Sequence, residues 1–207
     1  MPFYLFLQPS LTTRIAIWKN NSPSEDDFST LASSLSPRDQ ERLAGIRHPL
    51  KKMEFLSARA AFAALGESPV QLSYSEKGKP EIPGGFVSLS HNHDYGAAVI
   101  SLEKPVGIDV ERLDRQVAKV RHKFVHTEEE VVAQHFSDLF LWVAKEAAYK
   151  MYGRKELDFM EDIRIFERSN GSLGARVNNG SEILQGDLFH IRGEHTLMCW
   201  CIESTAV

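Results

Sequence analysis

Cysteine is nearly absent from this chain. Among 207 residues only Cys199 and Cys201 carry a thiol. On a strand these two positions face the same side, a placement that does not suit a relaxed disulfide, so they read as small buried apolar residues. No Cys/His spacing matches a zinc site. Long apolar runs are missing as well. Nothing approaches the roughly 18 consecutive apolar residues of a membrane helix. The apolar stretch Met1-Pro2-Phe3-Tyr4-Leu5-Phe6-Leu7 lacks the basic flank and small-residue cleavage site of a signal peptide, and reads as a buried first strand. No membrane association and a reducing, cytoplasmic setting are expected. A basic excess is also lacking: 24 Lys and Arg stand against 28 Asp and Glu, a formal net charge of −4. Dedicated nucleic-acid binders are usually basic, so no nucleic-acid partner is expected.

What is present is an ordinary globular composition, 43% hydrophobic and 25% charged. Such a chain can bury a core without disulfides or a structural metal. Residues 3–8 and 14–18 read as strands, followed by a turn cluster over Asn20-Asn21-Ser22-Pro23-Ser24 and a helix over 25–35. Ser36-Pro37 is a helix start, giving a helix over 38–46, and another runs over 50–65. Residues 70–74, 86–89, 96–102 and 106–111 read as strands, with a polar loop at 90–94. Thr127-Glu128-Glu129-Glu130 predicts a capping box opening a helix to about Phe136. Ser137 predicts the cap of a longer helix that Gly153 ends after Tyr152. Strands follow at 163–167, 173–177, 183–188 and 196–203, with Asn170-Gly171 as a hairpin turn. This order predicts an α+β fold with mainly antiparallel sheet.

Three constellations can carry chemistry. In Gly107-Ile108-Asp109-Val110-Glu111, a strand puts both carboxylates on one face. Two adjacent carboxylates repel unless a cation or proton joins them, and oxygen donors of this kind suit magnesium. The same pattern also occurs on solvated strand faces. In Trp142-Val143-Ala144-Lys145-Glu146-Ala147-Ala148-Tyr149-Lys150, a helix gathers Trp142, Glu146, Tyr149 and Lys150 on one broad face. Glu146 and Lys150 can form a plain surface pair, but a large tryptophan beside them points to a cleft. In Lys77-Gly78-Lys79-Pro80, two lysines around a glycine can approach a phosphate, and Ser90-His91 sits where a strand meets a polar loop.

In this order and at these intervals, Lys-Gly-Lys-Pro, Ser-His, Gly-Ile-Asp-Val-Glu and Trp-x-x-Lys-Glu-Ala-x-x-Lys resemble the 4'-phosphopantetheinyl transferase superfamily. The likeness runs from about Ser36 to Ile165 and is to the larger, single-chain, surfactin-synthetase-activating type. It implies two similar halves, 1–103 with coenzyme A nucleotide contacts and 104–207 with the metal site and carrier docking, and a cleft between them for coenzyme A. The chain would be a pseudo-dimeric monomer. The implied reaction moves the phosphopantetheine arm of coenzyme A onto a serine of an acidic apo carrier protein, acyl or peptidyl, and releases adenosine 3′,5′-bisphosphate.

By the same resemblance Asp109, Glu111 and Glu146 would hold Mg2+, with Mn2+ an acceptable substitute. Glu146 is also a candidate general base, directly or through water. Lys150 would contact the phosphate at the reacting centre. Ser90 and His91 would bind coenzyme A phosphates, Lys77 and Lys79 would lie near the nucleotide, and Arg42 would meet the 3′-phosphate. Arg59 matches a frequent family arginine that can be structural. Arg47, Lys51 and Lys52 add local positive charge. Lys145 projects about 100° from Glu146, which leaves a phosphate contact and a structural role both open. Many relatives carry Ser or Thr where this chain has Asn92. The segment 115–124 predicts a helix with Arg115, Lys119, His122 and Lys123 on one face and Val117, Val120 and Phe124 on another, a basic surface for the carrier. A magnesium-dependent phosphoesterase and a non-catalytic carrier-binding module are the competing classes.

Overall fold

The computed structural model describes residues 3–20, 25–154 and 156–204. Of the turn cluster expected at 20–24, all but Asn20 lies outside the described residues. The chain divides into two compact units, Met1–Glu103 and Lys104–Val207.

In the first unit, strands β1 (Phe3–Leu7) and β2 (Thr13–Lys19) precede helices α1 (Glu25–Ser33), α2 (Pro37–Gly45) and α3 (Pro49–Ala64). Short strands β3 (Ser73–Tyr74) and β4 (Pro80–Glu81) pair with each other, and β5 (Phe86–His91) and β6 (Tyr95–Ser101) close the unit. The main sheet is antiparallel in the order β1-β2-β6-β5. The Ser36 hydroxyl accepts the Asp39 N–H and Pro37 opens α2, the capping chemistry expected of Ser-Pro. Helix α3 packs on the sheet through Ala60, Ala61 and Phe62, against Ala16, Trp18, Ala98 and Ile100. Two expectations shift. Residues 70–74 are not one strand: Pro69–Gln71 is a 3₁₀ turn, and only Ser73–Tyr74 pairs. Pro69 fixes φ at a value that starts a turn. The loop expected at 90–94 is shorter, because β5 runs on through His91.

In the second unit, β7 (Val106–Arg112) is followed by α4 (Glu130–His135), α5 (Asp138–Tyr152) and the strands β8 (Ile163–Glu167), β9 (Leu173–Asn178), β10 (Ile183–Arg192) and β11 (Thr196–Glu203). All pair antiparallel in the order β7-β11-β10-β9-β8. Helix α5 is bounded as the sequence predicts. The Ser137 hydroxyl accepts the Phe140 N–H at 3.1 Å, and Gly153 ends the helix in the left-handed region, φ 70°, which glycine enters without penalty. The fold is thus α+β, two antiparallel sheets each packed against helices. No described helix is long and apolar enough to cross a membrane. Cys199 and Cys201 are free and buried, both in the core beneath α5.

Two further expectations are corrected here. The cap expected at Thr127 lies one residue earlier: His126 Nδ1 accepts the Glu128 N–H and the Glu129 carboxylate accepts the His126 N–H, at 3.2 and 3.0 Å. A 3₁₀ turn, Thr127–Glu129, then leads into α4. The segment 115–124 is not an amphipathic α-helix. It holds a 3₁₀ turn, Ala118–Lys123, with no side-chain cap. Buried Val117 and Phe124 anchor its two ends, so the chain tightens between two fixed points.

The contact of α5 with β7 is unusually close. A Cβ added at Gly107 would lie 2.0 Å from the Ala147 carbonyl oxygen and 2.4 Å from the Met151 nitrogen. Backbone cannot yield as a side chain can. Gly107→Ala is therefore expected to cost about 1–3 kcal/mol of stability, typical of overpacking. Urea denaturation of the two proteins measures this, and an unchanged midpoint would mean the helix backs away freely.

Candidate functional site

The strand period and the packing of α5 create an acidic cluster in the second unit. Gly107 faces α5, so Asp109 and Glu111, two and four residues on, share that face. Asp109 is 5% exposed. Its Oδ1 accepts a hydrogen bond from Lys150 Nζ of α5 at 2.7 Å. Glu146 stands one turn before Lys150 on the same helix. Burial and the Asp109 charge push the Glu146 carboxyl up, with Lys150 and Arg115 opposing. Burial first, then Asp109 and Glu146, drive Glu111 up to about 7 against the pull of Arg115 and Lys150. These shifts record burial first and the closeness of the carboxylate charges second. Glu111 is ion-paired with Arg115.

The donor set is wholly carboxylate oxygen, which fits a hard divalent cation such as magnesium or manganese. Among the described residues no three His, Cys, Asp or Glu side chains already surround one point as a bound metal requires. Asp109 is turned to Lys150 and Glu111 to Arg115, so these carboxylates must reorient to share a cation.

Trp142 is half-buried on α5, its ring centroid 5.3 Å from Phe124 and 5.8 Å from Phe159. The Arg115 guanidinium lies 5.1 Å over its ring. Lys145, left open by the sequence, is structural. It is fully buried, and its ammonium donates to the Phe159 and Ile163 carbonyls at 2.7 and 2.8 Å and pairs with Glu129 at 2.6 Å. Burial pulls it down to about 8, with Glu129 opposing.

The first unit holds the remaining predicted residues. Lys77 is exposed and Lys79 half-buried on the turn joining β3 and β4. There the Gly78 N–H donates to Ser75 O and the Lys79 N–H to Ser75 Oγ, at 2.9 and 3.1 Å, with Gly78 at φ +84°. Ser90 is buried and His91 lies at the end of β5, with Nδ1 3.7 Å from Glu54 Oε2. Glu54, which sequence reasoning missed, is buried in α3 and also pairs with Lys51 at 2.6 Å. An acid three residues after a lysine was the available signal, but its burial was not. Asn92 is explained by the turn: its Oδ1 accepts the N–H groups of Asp94 and Tyr95 at 2.8 and 2.9 Å. Arg59 is structural. It is buried, bonds both Asp39 oxygens at 2.9 and 3.0 Å, and meets the Tyr74 hydroxyl at 2.6 Å. Arg42 remains open to solvent, its guanidinium over the rings of Phe55 and Tyr74 at 5.6 and 5.1 Å. Arg47, Lys51 and Lys52 are exposed.

A sequence model of the 4'-phosphopantetheinyl transferase superfamily matches residues 105–201. The chain is also 32% identical over 174 residues to the 4'-phosphopantetheinyl transferase Npt of Nocardia iowensis, an alignment that covers 77% of this chain and 71% of that protein.

The Lys145–Glu129 pair yields a stability test. Lys145→Met leaves Glu129 buried without its countercharge, and removing one partner of a buried pair typically costs about 3–5 kcal/mol. Chemical denaturation should show a loss of that order, and Lys145→Met/Glu129→Gln should recover part of it. An unaltered Lys145→Met midpoint would contradict the structural role.

Proposed function

The chain belongs to the 4'-phosphopantetheinyl transferase superfamily, and on that premise we propose that it moves the phosphopantetheine arm of coenzyme A onto a serine of an apo carrier protein, acyl or peptidyl, in a magnesium-dependent reaction. The observation that carries this reading is the meeting of α5 with β7, which sets Glu146 and Lys150 beside Asp109 and Glu111.

Asp109, Glu111 and Glu146 would hold the magnesium. A bound divalent cation supplies positive charge to the pyrophosphate of coenzyme A as negative charge grows on its bridging oxygen. Lys150 donates to a phosphate oxygen at the reacting centre. Glu146 takes the proton of the carrier serine hydroxyl, directly or through water. The serine oxygen bonds to the phosphorus that bears the pantetheine. The bond from that phosphorus to the bridging oxygen breaks, and adenosine 3′,5′-bisphosphate leaves. In the first unit Arg42, Lys77, Lys79, Ser90 and His91 bind the phosphates of coenzyme A. Arg42 is suited to a phosphate because two aromatic rings hold its planar fork while leaving it accessible. One chain carries both halves, which favours a monomer.

The carrier surface is the exposed set Lys119, His122 and Lys123. Arg121 is committed to Glu130 and Asp138, and Arg115 to Glu111. Exposed positive charge would speed encounter with an acidic carrier.

Two measurements test the reading. Incubation with coenzyme A, magnesium and a panel of apo carriers should add the mass of one phosphopantetheine arm to a carrier. The gain should vanish with EDTA and fall at least ~100-fold in rate in Glu146→Gln, the scale of general-base loss. Adenosine bisphosphate released without any carrier would instead mark a hydrolase. Lys119→Glu/Lys123→Glu should raise the carrier KM about tenfold and leave coenzyme A affinity unaltered. An unmoved carrier KM would place docking elsewhere.

A further inference from the structure

Arg115 lies just after β7 and is the basic group bonded to Glu111. Its side chain is 43% exposed, whereas that of Glu111 is 16% exposed. The guanidinium also lies 5.1 Å over the Trp142 ring. That ring is held by Phe124 and Phe159 and forms a fixed shelf. Neighbouring cations are engaged elsewhere. Arg112 bonds Asp114 through two nitrogens at 2.9 and 2.8 Å, and Arg121 bonds Glu130 and Asp138. Lys150 covers Asp109. Arg115 is thus the cation of the group that meets both Glu111 and an aromatic face.

We propose that Arg115 is the resident counter-cation of the acidic cluster: it balances Glu111 while no divalent ion is bound, and yields Glu111 to the ion while staying on Trp142. This rests on the reading of Glu111 as a metal ligand. Without a countercharge, the clustered carboxylates repel one another and weaken the metal-free fold. With Arg115 in place, an incoming cation must first break an ion pair, so Arg115 lowers metal affinity in the free enzyme. Arginine suits the task because a guanidinium stacks on indole and is weakly hydrated. Arg115 is a positioning residue and touches no reacting atom.

The test is Mn2+ binding followed by electron paramagnetic resonance, on full-length protein without coenzyme A, for wild type, Arg115→Ala, Arg115→Lys and Glu111→Gln. Arg115→Ala should bind Mn2+ about tenfold more tightly, the scale expected when one nearby like charge is removed from a partly exposed site. It should melt lower in EDTA and gain more from Mn2+ than wild type does. Arg115→Lys, which keeps the charge, should stay near wild type. Equal or weaker Mn2+ binding by folded Arg115→Ala would overturn the proposal. Unaltered Mn2+ binding in Glu111→Gln would overturn the metal reading of Glu111 and the proposal with it, an outcome recognised without any Arg115 variant.

Discussion

The acidic cluster depends on how closely α5 can lie on β7. At the contact Gly107 on the strand meets backbone of the helix, the Ala147 carbonyl oxygen and the Met151 nitrogen. Backbone then rests nearly on backbone, and the charged residues on either side of the seam come within hydrogen-bond reach of each other. Lys150 reaches Asp109 for this reason. Apolar packing supplies the force that holds carboxylates together against their own repulsion. Burial first, and then the neighbouring carboxylate charge, raises the proton affinities of Glu111 and Glu146.

Packing fixes the distance of α5 from the sheet, and Lys145 fixes its rotation. Its buried ammonium reaches the carbonyls of Phe159 and Ile163, before and at the start of β8, and Glu129 ahead of α4. Glu129 in turn accepts the Ile165 N–H at 2.7 Å and the His126 N–H at 3.0 Å. Two segments of chain, 126–129 and 159–165, are therefore tied to one side of the helix, and its other side presents Glu146 and Lys150. Two lysines in one short motif thus have opposite fates: Lys145 at 0% side-chain exposure holds the helix, and Lys150 at 27% stands at its surface, paired with Asp109.

Local chemistry made much of this legible beforehand. The Ser137 cap and the Gly153 stop bound α5 within neighbouring residues, and strand alternation alone puts Asp109 and Glu111 together. What escaped the sequence were pairings between distant residues. Asp39 meets Arg59 and Tyr74 only after α2 folds onto α3. Glu129 meets Lys145 across the chain, and Arg115 lies over the Trp142 ring. In the segment 115–124 a 3.6-residue pattern gave the right buried residues, Val117 and Phe124, with the wrong conformation between them. Where many relatives carry Ser or Thr, the Asn92 side chain serves the turn that follows Ser90 and His91.

Each unit sets an accessible cation above a buried ion pair. Arg42 lies on Phe55 and Tyr74, and beneath it Arg59 lies 3.6 Å over the Phe55 ring and holds Asp39 with two hydrogen bonds. Lys150 and Glu146 stand on a helix whose underside is pinned by Lys145 and Glu129. Buried pairs of this kind add little net stability over apolar residues of the same volume, because desolvation consumes most of the attraction. Their geometric demand is strict, however, since a buried charge displaced from its partner is costly. A transferase that must present a few phosphate-binding groups at fixed positions gains from that strictness. Both pairs constrain the backbone beneath more accessible charged side chains.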